Sequence, residues 1–600
     1  MSALEGALRA ADTVADTFLA GRHVPGVAYG VVAGGELIHS RGIGTLRVGE
    51  AAPPDADSVF RIASMTKSFT AATIVGLRDE GRLALDDPIA RHVPELADLR
   101  GPTADSPPVT VRHLMTMSSG LATDDPWSDR QQGLDLEAFS AFLRGPLTFA
   151  WPSGTRFEYS NLGYGILGRL ITNVAGAEYR DVVGERLLAP LGMAATTYLQ
   201  GDVPPERLAL GYLWRDEAYL EEPIDPYGAL AAMGGIFTSV RDLASWVGFF
   251  IDAFPARDDP EGRWPLSRAS RREMQQVHRP WAQDVVLARP DADPAGRAGG
   301  YGLGLYAVDD TRWGRIVGHS GGYPGFGSSM RWHAASGLGV IVLGNHRYAP
   351  STLLGDELMG SLLAADVAPP RRIRPAAATV AARADVERLL RAWDDDIATR
   401  LFAMNVELDE PVARRRAALE RIRESHGRLS PDPALAEESD TPLHASWWLA
   451  GERGGRVNVE ILLSPQGPPR VQTLAVTVVN APSEGLATVA ASVVSALNAA
   501  DSAVPDGLDL DPALDRAALD RVLRIVAARY APLRLGPAVA GDGVRSARWR
   551  VRSASGESGE GRGEGRGPEF ELQLERDPET ALVTTMRLTQ RSPVSPPYAD

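Results

Sequence analysis

The chain is 600 residues long, with 44% hydrophobic and 23% charged residues and a formal net charge of −15. That length exceeds one ordinary core, so two or three soluble domains are expected. The acidic balance excludes a nucleic-acid partner and docking on anionic lipid, and no apolar run of about 18 residues predicts a membrane span. The N-terminal MSALEGALRAADTVADTF lacks the basic-then-apolar layout of a signal peptide, which points to a cytoplasmic protein. Zero cysteines exclude disulfides, thiolate metal sites and a cysteine nucleophile.

Residues 1–365 read as one α/β unit. VAYGVVAGGELIHSRGIG (27–44) has the pattern of two strands joined by a Gly-Gly turn. A helix is predicted from about Ser64 to Asp79, with Gly81 as its stop. Phe237 to Phe250 reads as another helix, opened by an S-x-x-D capping box at Ser239 and Asp242. Three short strands follow at 315–319, 327–333 and 339–344, separated by Gly-rich turns. Residues 366–380, around the Pro/Arg-rich APPRRIRPAAA, read as a linker. Beyond it, 384–402 and 411–425 look helical, and 444–479 holds three antiparallel strands. Helices near 484–499 and 513–530, then strands at 546–552, 569–575 and 581–589, repeat that plan and give two α+β modules, 381–481 and 482–600. GESGEGRGEGRG (556–567) is low-complexity and is expected to be a disordered hairpin tip.

Of the 62 basic residues, 61 are arginine and one, Lys67, is lysine. Exchange of Lys for Arg costs little on a solvated surface, but not where a lysine must lose its proton, because arginine stays charged. Lys67 closes the motif Ser64-Met65-Thr66-Lys67. At the start of a helix, positions i and i+3 share a face. The serine then lies at the positive end of the dipole, and its N–H is free for a developing oxyanion. A neutral lysine one turn away can activate the hydroxyl, provided desolvation or a neighbouring positive charge lowers its pKa.

Two further motifs carry chemistry. In Tyr159-Ser160-Asn161 a tyrosine can relay a proton to a leaving group, and an asparagine can hold both the lysine and a substrate amide. His319-Ser320-Gly321-Gly322 ends a predicted strand, where a free edge can align a peptide-like substrate and the Gly322 N–H can be a second oxyanion donor. Each motif alone has a plainer reading. Tyr159 can be a packing residue before an amphipathic helix, and HSGG a hairpin turn with an incidental histidine. Gly318 to Gly322 also fits G-x-S-x-G with Ser320 as nucleophile, but that elbow requires a helix directly after the serine, and a strand-like run follows GYPGFG instead. The ten histidines form no H-x-x-x-H pair with a nearby glutamate, so no metal is expected, and no glycine pattern fits a dinucleotide cofactor.

S-x-x-K, Y-S-N and H-S-G in this order, with the flanks TVRHLMTMSSGL, GGIFTSVRDLASWV, YGLGLY and GSSMRWHAASGLGVIVLGN, resemble the class C β-lactamase and penicillin-binding-protein family of serine hydrolases. That family includes D-alanyl-D-alanine peptidases, D-aminopeptidases and esterases. The resemblance covers about residues 1–365 and implies an antiparallel sheet covered by helices on both faces, with a helical lobe over the active site. It implies Ser64 as acylated nucleophile, Lys67 as the group that takes its proton, Tyr159 as general acid/base and Asn161 as substrate positioner. His319, with Ser320 and Gly321, would stand where β-lactamases carry K-T-G, and the N–H groups of Ser64 and Gly322 would form the oxyanion hole. Met117-Ser118 departs from the His-Thr many relatives carry there.

The H-x-G form resembles the peptidase, D-aminopeptidase and esterase branches more than the β-lactamase branch, since histidine is only conditionally charged near neutral pH. The implied activity is hydrolysis of an amide or ester through an acyl-enzyme, on a D-amino-acid-containing peptide or a small ester, with no cofactor. An acyltransferase or peptide cyclase using the same site, and a non-catalytic binding protein on this scaffold, stay open. The C-terminal modules carry no comparable constellation and resemble cystatin-like or NTF2-like folds. They are candidates for homo-oligomer contacts, and Trp447 and Trp448 read as packing residues.

Overall fold

The computed structural model describes residues 3–262, 264–281, 284–286, 295–365, 375–553 and 569–590. They divide into two compact units, Met1–Arg371 and Arg372–Asp600.

The first unit is built on a nine-stranded antiparallel sheet. Its order is Glu36–Gly44, Gly26–Ala33, Leu338–Gly344, Phe326–His333, Gly314–Tyr323, Tyr306–Asp310, Ala295–Tyr301, Arg279–Pro280, and Asp284–Val286 also pairs with Ala295–Tyr301. In the strand Gly26–Ala33, Val27, Tyr29 and Val31 pack against Ala11, Ala15, Leu354 and Leu358 of the helices Ala3–Leu19 and Ser351–Ala364. Ala28 and Val32 face the opposite side, in the same core as Leu243, Trp246 and Val247 of the helix Val240–Ile251. Helices therefore cover both faces, as the resemblance implies. Strands clad on both sides read as continuous apolar runs, which is why Leu338–Gly344 is buried at every position.

Several sequence expectations hold with shifted bounds. The Gly34-Gly35 turn joins the first two strands, both glycines having positive φ. The predicted helix 237–250 is corrected at its start: Phe237–Ser239 is a strand paired with Val59–Arg61, and the helix begins at Val240. Ser239 caps it by accepting the Asp242 N–H, while the Asp242 carboxylate accepts from the Ala195 N–H and the Thr196 hydroxyl. Only half of the expected capping box is thus seen, because a distant loop supplies the carboxylate's partners. The strand expected at 315–319 runs on to Tyr323, so the His319 motif lies within it.

In the second unit, helices Ala377–Arg391, Asp395–Leu401, Met404–Asp409 and Val412–His426 precede a four-stranded antiparallel sheet, Leu429–Pro431, His444–Gly451, Arg456–Leu463 and Val471–Val479. Helices Glu484–Leu497 and Arg516–Tyr530 precede a second, Leu533–Ala540, Ser546–Ser553, Glu569–Arg576 and Val583–Gln590. The sequence reading missed the strands Leu429–Pro431 and Leu533–Ala540. Trp447 lies buried in the core of the first sheet, while Trp448 is half-buried and packs against that of the second. Most of the expected linker and the low-complexity run 556–567 fall outside the described residues.

Candidate active site

The strand Val59–Arg61 ends in a tight turn at Ala63, φ 48°, and Ser64 stands in the single 3-10 turn Ala63–Met65 that opens the helix Thr66–Asp79. Its N–H belongs to a first turn, where backbone donors have no intrahelical acceptor. The helix is buried from Thr66 to Val75 and at Leu77, so it runs through the core rather than over it. Phe69 stacks on Trp246 at 3.9 Å, and the Ile236 N–H donates to the Thr66 hydroxyl, which pins the first turn.

Lys67 is fully buried. Its Nζ lies 2.9 Å from Ser64 Oγ, 2.7 Å from Asn161 Oδ1 and 2.8 Å from the Met233 carbonyl oxygen. Burial brings its pKa down to about 7, against the opposing pull of Asp125, Asp124 and Asp129. A neutral amine has two N–H donors and one lone pair. The amide oxygen of Asn161 and the Met233 carbonyl can only accept, so they take both donors and leave the lone pair toward the Ser64 hydroxyl.

Tyr159 lies with its ring centroid 5.0 Å from Lys67 Nζ, and the Ser64 hydroxyl is among the groups that act on its phenol. Burial pushes that phenol well above its usual value of 10, so it stays protonated. Asn161 opens the helix Asn161–Ala175, which Ser160 caps by accepting the Gly163 N–H. Met117, the departure noted above, places its sulfur 3.4 Å from the Ser160 N–H and so supports this motif from below.

Two residues that the sequence reading missed fix Asn161. Asp124 accepts from the N–H groups of Asn161 and Leu162 at 2.8 and 2.7 Å, and Asp125 accepts from Asn161 Nδ2 at 2.6 Å. Asp125 thereby sets the amide so that its oxygen faces Lys67, and leaves one Nδ2 hydrogen for a substrate. The only local signal was an Asp-Asp-Pro turn, which does not say what the carboxylates will face.

The motif strand Gly314–Tyr323 pairs with Phe326–His333 along residues 316–323, but with Tyr306–Asp310 only along 314–318. His319 to Tyr323 therefore has an edge with no partner strand among the described residues. Gly321 must be glycine: a Cβ there would stand 2.2 Å from the Ile62 carbonyl oxygen, in the turn that leads to Ser64. Gly304 of YGLGLY has the same role against the helix Thr66–Asp79, where a Cβ would lie 2.7 Å from the Lys67 carbonyl oxygen. Ser320 is half-buried, with Ser329 opposite it on the neighbouring strand. No helix follows it, since the strand turns at Gly325 into another strand, and the G-x-S-x-G context fails in three dimensions too. Beside Gly322 lies the ring of Tyr348, 51% exposed, whose hydroxyl donates to Asp129 at 2.5 Å. Burial raises Asp129 to about 6.

His319 is buried and both ring nitrogens are engaged. Nδ1 lies 2.6 Å from the Ser320 carbonyl oxygen, to which it must donate, so Nε2 accepts from the Tyr301 hydroxyl at 2.7 Å. Burial, with the Lys67 charge as a second cause, pushes its pKa down to about 3. The ring is neutral at any ordinary pH and holds the strand in place without presenting a cation. Among the described residues no three His, Asp or Glu side chains converge as a metal site would require, and no helix is long and apolar enough to cross a membrane.

The chain is 27% identical over 338 residues to Protein flp of Staphylococcus aureus (strain MW2), covering 56% of this chain and 62% of that protein. It is 26% identical over 344 residues to the D-alanyl-D-alanine-carboxypeptidase/endopeptidase AmpH of Escherichia coli (strain K12), covering 55% and 82%. The chain thus spans less than two thirds of the length of flp. The solved octameric penicillin-binding protein homologue from Pyrococcus abyssi superposes with a TM-score of 0.51 at 22% identity, over 76% of this chain and 96% of that one, and so shares its fold. The Beta-lactamase family profile matches residues 11–364, more than half of the chain, and the chain belongs to that family.

Proposed function

We propose that the chain is a serine hydrolase that cleaves an amide or ester through an acyl-enzyme on Ser64. The observation that carries this reading is the environment of Lys67: two fixed acceptors, burial that lowers its pKa to about 7 so that a neutral amine is available near neutral pH, and an Nζ 2.9 Å from the Ser64 hydroxyl. Ser64 Oγ adds to the substrate carbonyl as its proton passes to Lys67. The N–H groups of Ser64 and Gly322 hold the oxyanion. Collapse expels the amine or alcohol, which takes a proton through Tyr159 from Lys67. Water then attacks the ester, delivers its proton along the same route, and frees Ser64.

The neutral His319 bears on the substrate. A cation at this position would suit a substrate carboxylate, whereas a buried neutral imidazole gives no such handle. This supports simple esters or D-amino-acid-containing peptides, joined by the backbone to the free edge at His319–Tyr323, over β-lactams. Self-association through the C-terminal unit belongs to the same proposal, with the octameric state of the Pyrococcus homologue as its support.

Intact-mass spectrometry after incubation with penicillin, D-aminoacyl anilides and simple esters tests the reading. The expected result is an adduct on the Ser64 peptide that disappears in Ser64→Ala. Labelling by a fluorophosphonate that survives Ser64→Ala and vanishes in Ser320→Ala would overturn it.

A further inference from the structure

At the far end of the helix that begins with Asn161 lies a cavity of about 770 Å³, lined by Arg82, Arg91, His92, Glu95, Arg144 and Arg169, with Asn173 and Val174 of the same helix. With a helical rise of about 1.5 Å per residue, Asn173 stands ~18 Å along the axis from Asn161, so the cavity is separate from the Ser64 centre. Four arginines against one glutamate leave an excess of three positive charges on the wall of a chain whose net charge is −15.

The partners of these arginines show which charges are free to act. Glu95, 5% exposed, accepts from Arg169 at 2.9 Å and from Ser140 at 3.0 Å, and thus neutralises Arg169. Asp87 lies 2.8 Å from Arg91 and 2.9 Å from His92 and compensates one more charge. Arg82 donates to the carbonyl of Val174 in the last turn of the helix, which fixes its guanidinium over the cavity without cancelling its charge. The guanidinium of Arg144 has no hydrogen-bond or ion-pair partner among the described residues. Two guanidiniums without an ion-pair partner, one of them already held in place, face a depression whose lining mixes polar and apolar surface. A guanidinium presents paired donors that match an oxyanion, and a cavity of about 300–1,000 Å³ takes a small molecule rather than a chain.

We propose that this cavity binds a small polyanion carrying two or more phosphate or carboxylate groups, with Arg82 and Arg144 as its principal contacts and Arg91 at the rim. The bound anion replaces solvent as counter-ion to the two free guanidiniums.

Isothermal titration calorimetry of the full chain at low ionic strength tests this, with inorganic pyrophosphate in one arm and tricarballylate in the other. The expected result is saturable binding of at least one, with a Kd of about 1 mM or tighter, weakened about tenfold or more by Arg82→Gln/Arg144→Gln. The arm that binds tells phosphate from carboxylate chemistry. Arg144→Gln alone weakens binding about threefold and guards against a double variant that fails to fold. Arg100→Gln, an exposed charge outside the cavity, leaves binding unchanged. If neither anion binds, or the folded double variant binds like the parent, the site does not exist.

Discussion

The strand Phe326–His333 of the N-terminal unit is buried at all eight positions, whereas Arg456–Leu463 of the C-terminal unit alternates half-buried and buried along its length. The first has helices on both faces. The second packs one face on a core, with Val457, Val459 and Ile461 inward. The same contrast governs polar groups. In the C-terminal sheets charges are met in pairs across neighbouring strands, as Arg548 and Arg552 meet Glu571 and Glu569. In the N-terminal unit Lys67, Asn161 and His319 are enclosed, and each must find fixed partners. A lysine whose pKa stands near 7 requires the enclosure that the N-terminal unit provides, and the proposed chemistry belongs to that unit, clad on both faces.

The largest effect that would break this contrast is expected from Lys67→Arg. The variant keeps a cation but cannot take the Ser64 proton, so kcat/KM should fall by about 10²–10⁴. Near-full activity in an esterase assay would move the base to another residue and remove the functional distinction between the units. Trp447→Ala probes the other side. This side chain is 2% exposed, with Arg383 5.1 Å above its ring, and its loss should destabilise the C-terminal unit by about 3–5 kcal/mol. Denaturant unfolding reads that loss, and the rate of Ser64 acylation should stay unchanged while the variant is folded. A matching loss of acylation would show that the units are not energetically separate.

The smallest effect is the pH dependence. With Lys67 at about 7, kcat/KM should fall about tenfold for each pH unit below 7 and level off above it. The sign for stability follows from the same depression. Between the folded value and the unfolded lysine value the unfolded chain binds more protons, so stability rises with pH across that window. Lys67→Met should therefore gain most in melting temperature at pH 6 and lose that advantage as pH rises through 7 towards 10.5. An advantage equal at pH 6 and pH 10 would mean that Lys67 titrates like a solvated lysine.

Much of the fold was legible where pattern and cover agree. The strands 444–451 and 456–463 alternate in burial as their sequence pattern suggests, and both lie within the span 444–479 read as three antiparallel strands. The short strand Phe237–Ser239 was read as helix because it leads without a break into the helix behind it, and only pairing with Val59–Arg61 separates the two. Leu533–Ala540 was missed because Gly536 and Pro537 punctuate it, and its register with Ser546–Ser553 is indeed irregular.

At the site, the sequence by itself determined the pairing of Ser64 with Lys67, since a three-residue spacing on one helix fixes their shared face. It also marked the second and third motifs as candidates. Only the tertiary structure decided what the lysine is. Its two acceptors come from Asn161 and Met233, 94 and 166 residues away, and its burial from elements that surround the helix on all sides. Asp125 behind Asn161 and Tyr301 behind His319 belong to the same class. A local spacing encodes geometry within one turn, but the groups that close on it from afar are chosen by packing, and those groups set the proton affinity on which the chemistry depends.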